Sequence, residues 1–400
     1  MSSTLFGSND HLHLIDGSGF IFRAYYALPP FTRSDGVPVG AVAGFCNMIF
    51  KMLQNKNDID SPSHLAVIFD HKGKTFRSNI FSEYKSNRPP APEDLIPQFQ
   101  LIRDATKVFG LPCIEIEGYE ADDIIATYAN QASALGAKVT IISSDKDLMQ
   151  LVDENISMFD TMKNKKIESV DVEEKFGVKP NRVVDVQSLS GDSIDNIPGA
   201  SGIGVKTASL LINEYGDLEN LLNRASSIKQ PKRRDTLLNE ADKIRMSKKL
   251  VKLCTTVPVT RSLDDFIVSE PDVKSLLTFS KLMEFRTLTN RIIKKYGESF
   301  NIETKSVDFP SNANFDSVSD PKEDLILTSV EEENISEEFD YSNYQTVNTI
   351  DLLNTWVDLI YERGFCAFDT ETTDLNEMVA ELVGVSFSVS PGKACYIPIG

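Results

Sequence analysis

Three short apolar runs, His11-Leu-His-Leu-Ile-Asp16, Leu65-Ala-Val-Ile-Phe-Asp70 and Val139-Thr-Ile-Ile-Ser-Ser-Asp145, each end in aspartate. Such β-branched runs, separated by helical patterns, read as parallel strands of an α/β sheet. Helices are predicted at about 40–55, 93–109 and 119–135, the last closed by Gly136. In open α/β sheets ligands bind outside the carboxyl ends of the strands, so three strand-terminal carboxylates would meet on one edge. The simpler alternative is that each aspartate only caps the helix after it.

More acids join this edge. Glu120-Ala-Asp122-Asp123 opens a predicted helix, where the helix dipole favours negative charge, and Glu120 and Asp123 share a face. Asp145-Lys-Asp147 leaves the third strand, and Asp192-Ser-Ile-Asp195 precedes a turn. Together with Asp16 and Asp70 these make nine acids in five places. Packed like charges repel unless cations neutralise them. Oxygen ligands without Cys or His suit Mg²⁺ or Mn²⁺ better than zinc. Two such ions can activate a water and stabilise the leaving oxygen in phosphodiester hydrolysis. The bland reading is a solvated acidic face or scattered helix caps, which nine acids in this order argue against.

Two further segments address phosphate. Gly199-Ala-Ser-Gly202-Ile-Gly204-Val-Lys206-Thr207-Ala208 resembles a P-loop, but Val205 separates Gly204 from Lys206 and no predicted strand leads in. A glycine turn joining two helices fits better, presenting backbone N–H groups and a helix N-terminus to phosphate; glycines serving only close packing are the alternative. The other segment is Lys72, Lys74, Arg77, Tyr84, Lys85 and Arg88, basic groups for phosphates with an aromatic able to stack an unpaired base. Seen alone it would read as an ordinary charged surface.

The net charge of −18 in 400 residues is unevenly placed. Residues 301–345 hold 12 acids and 2 bases, residues 346–400 hold 8 and 2, and residues 1–300 hold 39 and 37. Overall acidity therefore does not exclude a nucleic-acid partner, which responds to local basic patches. The polar, acidic stretch 301–345 reads as a flexible linker, and 180–295 reads as mainly helical. Five scattered cysteines without metal spacing suit reduced thiols. No apolar run suits a membrane span or a signal peptide. A cytoplasmic protein is expected.

Leu14-Ile-Asp16-Gly-Ser, Arg23-Ala-Tyr-Tyr-Ala27, Lys74-Thr-Phe-Arg77, Tyr84-Lys85, Glu120-Ala-Asp122-Asp123, Ser144-Asp145-Lys-Asp147 and Gly191-Asp192-Ser-Ile-Asp195-Asn-Ile-Pro-Gly199 together resemble the 5′ nuclease domain of the bacterial DNA polymerase I family, within the flap endonuclease family. The resemblance covers roughly residues 10–295. It implies that Asp16, Asp70, Glu120, Asp122, Asp123, Asp145, Asp147, Asp192 and Asp195 bind two Mg²⁺ or Mn²⁺ ions directly or through water. It implies that Lys74 and Arg77 address the scissile phosphate, and that Tyr84, Lys85 and Arg88 lie in a mobile arch over the 5′ strand. Arg23, Gly199, Gly202, Gly204 and Lys206 would bind DNA. The glycine turn would be a helix–hairpin–helix variant that grips duplex and can hold a monovalent cation. Ala200-Ser201 stands where the family commonly has Val-Pro, which leaves the glycine frame intact.

Phe365-Cys-Ala-Phe-Asp369 and Leu382-Val-Gly-Val-Ser-Phe387 read as new strands. Phe368-Asp369-Thr-Glu371-Thr resembles the first motif of the proofreading exonuclease domain, with Asp369 and Glu371 two apart on one strand face as metal binding requires. No closing element follows, so the chain is expected to stop inside that domain, and neither proofreading nor synthesis is expected of it.

The expected fold is thus α/β: a central, mostly parallel sheet with a helical arch and a helix–hairpin–helix region (about 185–295) in residues 1–300, then the linker, then a partial α/β exonuclease domain in residues 346–400. The resemblance implies a monomeric Mg²⁺-dependent 5′–3′ exonuclease and flap endonuclease. Its substrates would be DNA with 5′ flaps, nicks or junctions, and primer RNA. Its companion would be a polymerase region absent from these residues. Two rivals stand beside it: another metal-dependent phosphoesterase on a similar sheet, and a non-catalytic DNA-junction binder.

Overall fold

The computed structural model describes residues 5–54, 61–297, 344–363, 366–373, 380–390 and 393–399. The expected linker 301–345 falls almost wholly outside the described residues, as does Phe365. The chain divides into two compact units, Met1–Ser329 and Val330–Gly400.

In the first unit the chain runs β1 (His11–Asp16), α1 (Gly17–Ala27), α2 (Gly40–Gln54), β2 (His64–Ile68), α3 (Phe76–Ile80), α4 (Gln98–Val108), β3 (Cys113–Ile114), α5 (Ala121–Ala134), β4 (Lys138–Ile142), β5 (Ile156–Asp160) and β6 (Lys165–Ile167). The sheet order is β3-β2-β1-β4-β5-β6, parallel throughout except for antiparallel β6 at the edge. Burial on both faces explains the β-branched runs. Leu12, Leu14, Ala66 and Ile141 point into a core shared with α5, while Ile15, Leu65, Val67 and Ile142 point into the opposite core under α2 and α4. Alternation along each strand thus feeds two cores. The predicted parallel sheet and the three helices all appear, with helix bounds shifted by a few residues. Between β2 and α4, where an arch is expected, α3 is the one helix.

The strand order reverses at β1, which has β2 on one side and β4 on the other. Ligand-binding crevices open at such a switch point, beyond the carboxyl ends of the strands. Asp16 ends β1, and Ser143 to Asp145 follow β4.

Helices then dominate: α6 (Ser169–Phe176), α7 (Val183–Ser190), α8 (Val205–Tyr215), α9 (Leu218–Asn223), α10 (Pro231–Asn239), α11 (Ala241–Val251), α12 (Val273–Leu282) and α13 (Arg286–Tyr296). The glycine turn lies between α7 and α8, as expected. Gly191 (φ +69°) and Gly199 are in backbone contact: a Cβ on Gly199 would come within 2.4 Å of the Gly191 nitrogen.

The second unit consists of β7 (Gln345–Thr346), α14 (Ile350–Arg363), β8 (Ala367–Thr372), β9 (Leu382–Ser390) and β10 (Lys393–Pro398), with sheet order β7-β10-β9-β8. Trp356 anchors its small core with Val347, Val389 and Cys395. Asp369 and Glu371 are exposed on β8 at the sheet edge.

Candidate active site

Local chemistry sets the first four acids. Asp16 caps α1, accepting from the Gly19 N–H at 2.8 Å, and its other oxygen accepts from the Ser143 hydroxyl at 2.9 Å. Asp145 accepts from the Asp147 N–H at 2.9 Å. Asp70 accepts from the Ala121 N–H at 2.8 Å, at the first turn of α5, where the dipole favours it. Asp122 stands one residue further along that helix. Capping of the element that follows is thus seen for Asp16 and Asp145, whereas Asp70 bonds the first turn of α5 instead.

These acids oppose one another. Burial first, then the charges of Asp70 and Asp145, push the Asp16 carboxyl up to about 6. Burial and then Asp145 and Asp16 raise Asp122 well above the usual carboxylate range. Burial and then Asp145 push Asp147 up to about 6, against the hydrogen bond from Gln187. Among the described residues no ion pair within 4.0 Å neutralises Asp16, Asp70, Asp122, Asp145 or Asp147. Three buried or half-buried groups held above their ordinary range, all oxygen donors with no Cys or His, have the chemistry a hard divalent cation fits. Among the described residues, no three side chains are already drawn together tightly enough to hold an ion.

The other four acids are already matched to cations. Glu120 accepts from Lys85 Nζ at 2.9 Å and from the Tyr84 hydroxyl at 3.1 Å. Asp195 is gripped by Arg88, and Lys85 Nζ stands 3.7 Å from it. Asp192 is paired with Lys146 Nζ at 2.5 Å. Asp123 is wholly buried: its oxygens accept from Arg77 at 2.6 and 2.8 Å, and also from the Cys254 and Glu120 N–H groups.

Two of the expected site residues are turned inward. Arg77 is 1% exposed, donates to Asp123 and to the carbonyls of Leu250 and Lys252, and has its Nη1 3.3 Å from Glu120. Asp123, its bidentate partner, has no oxygen left for an ion. In the segment expected to form the arch, Tyr84 packs on Ile197, Leu250 and Val251, and Lys85 and Arg88 dock on Glu120 and Asp195. Burial works against the charge on Lys85, but Glu120 and Asp195 outweigh it and hold the ammonium protonated.

Other residues fall as follows. Lys72 and Lys74 are exposed just beyond Asp70, without acidic partners among the described residues. Gly202, Gly204 and Lys206 are exposed on the glycine turn, Gly204 capping α8. Gly202 has φ +74° and open space where a Cβ would stand. Arg23 is half-buried and bonds the Thr161 hydroxyl and carbonyl after β5. Sequence reasoning missed Ser143, Lys146 and Gln187. Gln187 donates to Asp147 at 2.5 Å while its own carbonyl oxygen is buried without a partner. Lys146 carried a signal, standing between Asp145 and Asp147; Ser143 and Gln187 carried none.

The profile of the family described as "5′-3′ exonuclease, N-terminal resolvase-like domain" matches residues 11–177, and "5′-3′ exonuclease, C-terminal SAM fold" matches residues 178–274. A 5′-3′ exonuclease of Aquifex aeolicus is 36% identical over 72% of this chain and 97% of its own length. A DNA polymerase I of Rhizobium leguminosarum is 46% identical over 98% of this chain and 43% of its own. The chain thus spans less than half the length of that polymerase. Bacteriophage T5 5′-exonuclease with bound zinc shares the fold, with TM-score 0.52 and 20% identity over 72% of this chain and 98% of that one.

Proposed function

Because the chain belongs to the 5′–3′ exonuclease family, we propose that it hydrolyses DNA phosphodiesters near 5′ junctions, as the N-terminal nuclease part of a DNA polymerase I acting in replication and repair. The observation that carries this is the group of five unneutralised carboxylates at the switch point, with free Lys72 and Lys74 beside it and an exposed glycine turn in the same unit. Asp16, Asp70, Asp122, Asp145 and Asp147 would hold the divalent ions, Mg²⁺ or Mn²⁺ and two in number, with Glu120, Asp192 and Asp195 acting through water. Bound there, the ions would polarise the phosphodiester and the attacking water.

The chain's own residues do the rest. Lys74, with Lys72, holds the phosphate flanking the cleaved bond. Gly202, Gly204 and Lys206 bind duplex phosphates through backbone N–H groups and charge, with a monovalent cation as companion. Lys85 and Arg88, now paired with Glu120 and Asp195, exchange those acids for the phosphates of an arriving 5′ strand, and Tyr84 stays as their hinge. Arg23 adds a contact beyond β5. Substrates are 5′-flap, nicked or junction DNA and primer RNA, taken by a monomer in the cytoplasm. Asp369 and Glu371 would belong to a proofreading exonuclease motif, two apart on β8.

The test uses a 5′-labelled flap duplex in Mg²⁺ and in EDTA, beside a small phosphomonoester. Metal-dependent cleavage at the junction supports the proposal. Turnover of the phosphomonoester alone would favour the small-molecule phosphoesterase, and tight binding without cleavage would favour the junction binder.

A further inference from the structure

Helix α11 is tied at both ends to parts of the proposed machinery. At its start, Glu240 accepts from the Ser201 N–H at 2.8 Å and from the Ser201 hydroxyl at 2.6 Å, and pairs with Lys243 at 2.7 Å. Ser201 lies inside the glycine turn, at the position where a proline could not donate that N–H. Mid-helix, the Ser247 hydroxyl donates to the Pro198 carbonyl, and Lys248 pairs with Asp185 of α7 at 2.8 Å. At its end, the Leu250 and Lys252 carbonyls accept from Arg77, the Val251 carbonyl from Gln150 at 3.1 Å, and the Cys254 N–H donates to Asp123 at 2.8 Å. Asp123 in turn holds the Glu120 N–H that begins the helix carrying Asp122.

We infer that α11 is a ruler, fixing the offset between the glycine turn and the carboxylate pocket so that cleavage falls at one nucleotide, and that Glu240 is the positioning residue at its duplex end. This rests on the nuclease reading above. Eleven residues at 1.5 Å make a strut of about 16 Å. Slipping by one nucleotide needs about 3.4 Å along the duplex axis. A hydrogen bond fails once stretched past about 3.5 Å, so the intact clip does not accommodate the slip. The Lys243 ammonium and then the Ser201 bonds hold the Glu240 carboxyl down to about 2.

The experiment maps product length on one fixed flap duplex for the full chain, Glu240→Ala, Glu240→Gln and Ser201→Ala, with thermal melts to verify folding. Wild type should give one dominant product. Glu240→Ala should move or spread it, with the wild-type band falling at least twofold as a share of total product, and Glu240→Gln should restore most of it. A folded Glu240→Ala variant with the wild-type product pattern would overturn the ruler, with the wild-type lane still reporting on the nuclease reading. Absence of metal-dependent product in the wild-type lane would instead overturn that reading.

Discussion

Replacing Arg77 by alanine separates the structural role seen here from the phosphate-binding role expected of it. The guanidinium and the Asp123 carboxylate are 1% and 0% exposed, joined by bonds of 2.6 and 2.8 Å. Solvent screening is therefore negligible, and removing one partner of a buried pair costs about 3–5 kcal/mol. The Leu250 and Lys252 carbonyls lose a donor as well, placing the loss toward the upper end. For a unit this size that lowers the melting temperature by roughly 6–12 °C. Arg77→Lys should recover little, since an ammonium cannot make the fork and reach both carbonyls. Arg77→Met with Asp123→Leu should recover only part: apolar replacement of the ion pair itself is often near neutral, but the Cys254 and Glu120 N–H groups and the Leu250 and Lys252 carbonyls lose their partners. Urea denaturation of each variant gives the free energies directly. An Arg77→Ala protein as stable as wild type to within about 0.5 kcal/mol, yet cleaving a hundredfold more slowly, would refute the buried-clamp account and return Arg77 to the phosphate.

Three more expectations follow from the same geometry. Asp147 is held up at about 6, by burial first and then by Asp145; the folded state binds that proton more tightly, so its contribution is full below pH about 4 and lost as pH rises through about 6. In EDTA, Asp147→Asn and wild type should therefore melt alike near pH 4, with the variant ahead by roughly 1–2 kcal/mol near pH 7.5 once its partial exposure is allowed for; a gap that closes toward high pH would contradict this. Lys72→Ala/Lys74→Ala should leave the melting temperature unchanged and lower the slope of log K against log salt for flap DNA by about 1–2, measured by anisotropy. Gly199→Ala, whose new Cβ would meet the Gly191 nitrogen at 2.4 Å, should weaken duplex binding and destabilise the helical region, with protease sensitivity appearing first near residue 199.

Much of the sheet was legible because its signals are local. β1, β2 and β4 are β-branched runs closed by aspartate, and the pattern needs no knowledge of partners. β3 is two residues long and β6 three, too short for any period to register. The five unneutralised acids were legible for the same local reason. What escaped is which acids would be neutralised. Arg77 is 46 residues from Asp123 and 173 from Leu250, and Gln187 is 40 from Asp147; nothing in the spacing of a motif encodes such pairings. A resemblance treats every motif residue alike, so it assigned the buried Arg77 and Asp123 the same outward task as the exposed Lys74.

The central claim is that the unneutralised carboxylates form the cleavage centre and the glycine turn holds duplex separately. The most direct measurement sets Asp145→Ala/Asp147→Ala beside wild type on a 5′-flap duplex in Mg²⁺, reading cleavage and binding in the same samples. Cleavage abolished, with flap affinity retained or raised and a melting temperature in EDTA no lower than wild type, is the predicted result. A double variant that folds and still cuts at the junction at a wild-type rate would contradict the account.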